Sequence, residues 1–158
     1  MIRLFHPVQN FNRIVARRAL STTRMAREAR GGSKPTTMNL NEMFNAFDDQ
    51  WSPKIAGEIN NMHLKLVKVQ GDFVWHHHEN EDELFLVTKG QMKMKIKDPE
   101  ERVEIVNAGE YIIIPKKVEH CPCADDECEI ILLEPKTTLN TGNVEDDEKT
   151  VKELGSLI

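Results

Sequence analysis

In the stretch from Gln91 to Lys97, QMKMKIK, Met92, Met94 and Ile96 alternate with lysines. A period of two places all three apolar side chains on one face of a strand and the lysines on the other, the pattern of an antiparallel sheet with one wet face. Other short apolar runs follow the same economy. MHLKLVKVQ, VEIV, YIIIP and EIILLEP are separated by the polar stretches KDPEER, NAGE and ADDE, which read as turns. In the first run Met62, Leu64 and Leu66 share a face, and the step to Val67 and Val69 predicts a bulge. From about Ile55 the connections are too short to hold crossover helices, so the sequence predicts an all-β fold, an antiparallel sandwich or small barrel.

Helices are expected only at the margins. Asn39 followed by Glu42 resembles a capping box, and Leu40, Met43, Phe44 and Phe47 recur at helical spacing until WSP ends the pattern. The C-terminal EDDEKTVKELGSLI predicts a short surface helix.

The net charge of -5 conceals an asymmetry. Residues 1–37 carry eight basic side chains against the single acid Glu28, so the remaining chain, 38–158, is strongly acidic. An acidic body repels nucleic acid and anionic lipid. No apolar run approaches the roughly 20 residues of a membrane span. The N-terminal extension is Arg-rich, nearly acid-free and hydroxyl-containing, with Phe5, Val8, Phe11, Ile14 and Val15 among its arginines. That is the composition of a mitochondrial transit peptide, and VARRALSTT resembles a matrix-processing site. The sequence therefore predicts a matrix protein with one domain over 38–158; a basic arm on a cytoplasmic protein is the alternative. Cys121, Cys123 and Cys128 make an odd count without a secretory signal, so they are expected to be reduced thiols occupying small strand positions.

The chemistry gathers in VWHHHENEDELFLVTKG, Val74 to Gly90. In extended chain, His76 and His78 point to one side and His77 to the other. Two imidazoles at that spacing reach one metal ion, and neutral imidazole suits Zn, Fe, Cu, Ni or Mn. Glu83, at the start of the next strand, offers a carboxylate, while Glu79, Glu81 and Asp82 read as a solvated turn. His120 closes GEYIIIPKKVEH, and His63 stands alone in another strand.

These residues resemble the two motifs of the cupin superfamily. Gly71, His76, His78, Glu83 and Gly90 match the first, with one residue fewer than usual between Gly71 and His76. Gly109, Pro115 and His120 match the second, with Lys117 where glycine is common and Ala124 where asparagine is common. The resemblance covers about Lys54 to Asn143 and extends to small single-domain cupins of microbial type. It implies a jelly-roll barrel flanked by the short terminal helices, with His76, His78, Glu83 and His120 as ligands of one divalent transition metal ion.

Four protein ligands on a six-coordinate ion leave two positions open. With iron this permits a dioxygenase-like oxidoreductase acting on a small organic molecule; with Zn, Mn or Ni it permits a Lewis-acid isomerase or hydrolase. A non-enzymatic barrel that binds a small molecule or metal is the third reading. No residue announces itself as a catalytic base: Tyr111 and Glu119 flank the second motif without an assigned role. Phe85, Met92, Met94 and Ile113 are expected to wall an apolar pocket, and a homodimer is expected because pairing buries exposed strand edges.

Overall fold

The computed structural model describes residues 35–158; the proposed transit peptide, but for its last three residues, lies outside the described residues. A five-residue helix, α1 (Leu40–Phe44), is followed by β1 (Lys54–Ile59), β2 (Met62–Asp72), β3 (Glu83–Lys89), β4 (Gln91–Lys97), β5 (Glu101–Asn107), β6 (Tyr111–Ile114), β7 (Glu119–Pro135) and β8 (Gly155–Ser156). The all-β expectation therefore holds.

The barrel is organised by the 17-residue β7. Its first part pairs with β4 from Glu119 to Cys123, its later part pairs with β3 from Glu129 to Leu133, and β2 runs along its other edge. The change of partner falls at Ala124–Glu127, where the β2–β7 register shifts between Val69 and Gly71. ADDE is thus not a turn. Its acids Asp125, Asp126 and Glu127 face solvent inside an unbroken strand, and the extra residues bend β7 where its partner changes from β4 to β3, as bulges do. Gly90 links β3 to β4 at this corner with φ +82°, and an added Cβ would lie 3.0 Å from the Glu127 carbonyl oxygen. The close approach requires glycine.

Two apolar clusters result. Val67, Val69, Phe85, Val87, Met92, Met94, Ile96, Ile130 and Leu132 fill the barrel. Leu66 and Ile131, on the outer face, pack with Met43, Phe44 and Phe47. β2 is consequently buried on both sides with no bulge between Leu66 and Val67, where one is expected from the run of apolar residues. The pattern reflects α1 covering the outer face. Asn39 caps that helix by accepting from the Glu42 amide.

Two sequence expectations are corrected here. Ile113 is 51% exposed on β6, which pairs only with β3, so its side chain points away from the barrel. The C-terminal helix is absent: Asn140 holds the Lys149 carbonyl and the Val151 amide, and Asp147 holds the Lys149 amide. These side-chain bonds compete with helical ones. The chain instead lies extended against β1, pairing in parallel at Gly155 and Ser156 and packing the partly buried Leu157 and Ile158 against the outer cluster. The three cysteines are free and buried in β7, and burial pushes the Cys121 and Cys128 thiols up to about 11, leaving them in the unreactive protonated form.

Candidate metal centre

His76 lies not in a regular strand but on an extended segment tied to β7 by one bridge. Its amide donates to the His120 carbonyl at 3.0 Å, and the His120 amide returns the bond at 2.9 Å. The Lys117 amide donates to the His78 carbonyl at 2.7 Å, which anchors the second imidazole to the Pro115–Val118 turn. Lys117 itself sits at φ +69°. That explains why glycine is common at this point of the motif and why lysine there bears backbone strain. Glu83 opens β3, paired with Ile114.

Together these elements bring His76, His78, Glu83 and His120 into one cluster whose ligand atoms all lie within 4.8 Å of one another. Every member is at most 4% exposed. Glu83 Oε2 stands 3.2 Å from His78 Nε2 and 3.4 Å from His120 Nε2. Metal–nitrogen distances of about 2.1 Å separate neighbouring ligands of one ion by roughly 3 Å, which the two Glu83 contacts match. The Nδ1 atoms of His76 and His120 each lie 3.0 Å from a backbone carbonyl two residues earlier, Val74 and Val118. Donation to those carbonyls fixes the tautomer that leaves Nε2 a free lone pair, the usual support of a metal-ligating histidine. Nε2 of all three histidines and Oε2 of Glu83 are buried without a hydrogen-bond partner. Buried polar atoms left open in this way need an occupant, and a donor set of three imidazoles and a carboxylate suits a transition ion.

The members of the cluster shift one another's protonation. Burial, reinforced by the neighbouring His120, pushes His76 down to about 4, so it is neutral at physiological pH and ready to ligate. At His78 burial works against the charged form, but the Glu83 carboxylate 3.2 Å away overcomes it and raises the imidazole. Burial likewise opposes ionisation of Glu83, yet the nearby His120 and His78 imidazoles hold it below the usual carboxylate range.

Around the cluster lies a small cavity of about 30 Å³ lined by Trp51, Val67, Phe73, Phe85, Leu132 and Asn140, among others. That is room for roughly two water molecules. Trp51 stacks on Phe73 at 4.8 Å, and Phe73 meets the His76 ring edge-on at 5.3 Å. Sequence reasoning missed Trp51, Phe73 and Asn140, which precede or follow the strands and carry no periodic signal. Of the expected wall, Phe85 lines the cavity, while Met92 and Met94 pack deeper in the core. Tyr111 is 64% exposed and Glu119 pairs with Lys97 at 2.9 Å, so neither belongs to the site. His77 turns outward to Glu79, 3.5 Å away, and His63 faces Glu58; neither joins the cluster, as the sequence predicts.

A jelly-roll barrel with three histidines and a glutamate converging inside it defines a class of proteins able to hold a metal ion. The profile described as "Cupin domain" matches residues 63–134, and the chain belongs to the cupin superfamily. It is 42% identical to a cupin-2 domain containing protein from Shewanella frigidimarina, covering 63% of this chain and 95% of that one with a TM-score of 0.61. It is 32% identical to the uncharacterized protein YdbB of Bacillus subtilis, over 52% of this chain and 71% of the relative. A hydroquinone 1,2-dioxygenase from Sphingomonas, solved with 4-hydroxybenzoate bound, shares the fold at 16% identity and a TM-score of 0.58, over 67% of this chain and 36% of that one.

Proposed function

We propose that this protein binds one divalent transition metal ion, iron in the leading reading, through His76, His78, Glu83 and His120, and that it carries out dioxygenase-like oxidation of a small organic molecule. The observation behind this reading is the convergence of four buried, unpartnered ligand atoms beside an apolar, aromatic-lined cavity. Held by these four residues, iron would supply redox chemistry with O2. The chain's own residues exclude water with Trp51, Phe73 and Phe85, orient two imidazoles through the Val74 and Val118 carbonyls, and keep His76 unprotonated.

A Lewis-acid hydrolase or isomerase would want a free base on the cavity wall. The cavity's one polar lining residue outside the ligand set, Asn140, has both ends of its amide committed to Lys149 and Val151 and is not that base. The test is elemental analysis of anaerobically purified protein, followed by O2 uptake with small acids, thiols and aromatics. Near one equivalent of iron and iron-dependent uptake are expected. Stoichiometric zinc or manganese without uptake would transfer the reading to Lewis-acid chemistry, and no metal after reconstitution would leave a binding barrel.

We further propose a homodimer formed through the free edges of β5 and β6. Val103, Ile105, Tyr111 and Ile113 are all about half exposed or more, along a groove of about 780 Å³ to which Ile105, Tyr111 and Ile113 contribute. Antiparallel pairing of two β5 strands about Val103 would set Arg102 of one copy opposite Glu104 of the other, a complementary arrangement. Light scattering should give a dimer that Ile105→Lys converts to monomer; a monomeric wild type would refute it. Residues 1–37 are proposed to direct import into the mitochondrial matrix. Fused to a fluorescent reporter they should give a mitochondrial pattern, and a diffuse cytosolic signal would remove the claim.

A further inference from the structure

Two charged side chains inside the barrel belong to neither metal motif. Lys65 on β2 is in phase with the inward Val67 and Val69, and Glu134 on β7 is in phase with Ile130 and Leu132. Both are fully buried, and Lys65 Nζ donates to Glu134 Oε1 at 2.7 Å. The β3–β7 ladder reaches Leu84 opposite Leu133; continued by one residue, it sets Glu134 directly across from the metal ligand Glu83. Cross-strand neighbours of this kind have Cβ atoms roughly 5 Å apart. The proximity also has an electrostatic sign: burial and the charge of Glu83 push the Glu134 carboxyl up, against the pull of Lys65 and His78.

Stability does not account for the pair. Burying two charges costs about as much as their attraction returns, and an apolar pair of equal volume usually serves better. This pair is also incomplete. Glu134 Oε2 is buried with no hydrogen-bond partner, and the Lys65 ammonium has three donors with Glu134 as its acceptor. A half-satisfied buried network is worse than an apolar core, so these open valences call for a guest.

We propose that Lys65 and Glu134 form a subsite for a hydroxyl group on the ligand of the metal centre. Glu134 Oε2 accepts from the O–H, and Lys65 Nζ donates to a lone pair on the same oxygen. A hydroxyl carries a donor and lone pairs on one atom and can satisfy both groups; a carboxylate lacks the donor, an ammonium lacks the lone pair, and a methyl lacks both. The ligand class is a small hydroxylated molecule, with water as the other source of the same chemistry. The inference rests on the metal reading given above.

The test compares glycolate with acetate, which differ by one hydroxyl, by calorimetry on zinc-loaded full-length protein. Wild type should prefer glycolate by about tenfold, the value of one hydrogen bond to a charged group. Lys65→Met combined with Glu134→Met should keep the fold and one equivalent of zinc yet lose most of that preference, and Glu134→Gln should weaken it without changing metal content. Preference retained in the variants would assign the hydroxyl to the metal alone and overturn the subsite. Equal binding of both acids by wild type would assign the subsite to water and overturn it too. If the double variant fails to fold, an undiminished preference in Glu134→Gln decides against the proposal. Failure of the metal reading would register separately, as wild-type protein that takes up no zinc, and the subsite would fall with it.

Discussion

Replacing His76 or His78 with alanine is expected to reduce metal content from about one equivalent to near zero, while His77→Ala keeps it. The contrast follows from where each side chain points. His76 and His78 present unpartnered Nε2 atoms to Glu83 and His120 inside the barrel. His77 turns outward, and what it contributes locally is backbone: its amide donates to Asn143 Oδ1 at 2.8 Å and its carbonyl accepts from the Asn143 amide at 3.1 Å. Alanine preserves both bonds. Removing a group that merely supports a ligand weakens metal affinity about 10–100-fold, so removing the ligand itself should cost more. Stability should follow. A metal present at roughly 1,000 times its dissociation constant stabilises the folded state by about 4 kcal/mol, which for a domain of this size is on the order of 15 °C in Tm. Thermal melts with and without added metal should show that gain in wild type and His77→Ala and lose it in the other two. Equal metal loss in the His77 variant would overturn the assignment of faces.

The convergence of the four clustered side chains was legible in the sequence because coordination chemistry restricts residue type, and because the i, i+2 spacing of His76 and His78 gives a shared face in any extended segment. The strand register carried less information where a strand lies at an edge or has a second layer on it. Ile113 reads as an inward residue of a continuous apolar run, but β6 borders solvent and its outer face retains isoleucine. In β2 the run Leu66–Val67 looked like a break in phase because α1 buries the face that alternation would leave wet. ADDE has turn composition, yet acids serve equally well on a bulge whose side chains face solvent. Lys65 and Glu134 did leave a trace: each is a charge in phase with apolar neighbours that fill the core, a combination that single-residue hydropathy hides. The loop from Thr138 to Asn143 left none. Its place over the histidines depends on contacts with residues more than sixty positions earlier in the chain.

That loop gives the second large effect: Gly142→Ala should destabilise the fold and empty the metal site although Gly142 is not a ligand. Gly142 adopts φ +50°, and a Cβ added there would fall on the His77 carbonyl oxygen and 3.2 Å from His78 Nδ1. The carbonyl cannot yield freely, since it accepts from the Asn143 amide. Either the loop lifts, breaking the two Asn143 bonds, or the His77–His78 segment shifts and carries the second imidazole away from Glu83. Left-handed strain alone costs an alanine about 1–2 kcal/mol; with the collision the loss should reach about 2–4 kcal/mol, among the larger single-residue effects. Gly109→Ala separates the two causes. Gly109 has φ +88° with nothing within 4 Å of an added Cβ, so its variant bears the backbone strain without the clash and should keep full metal content. Chemical denaturation with metal analysis reads both quantities. A Gly142 variant that matches the Gly109 variant in stability and metal would mean that the loop does not set the position of His78.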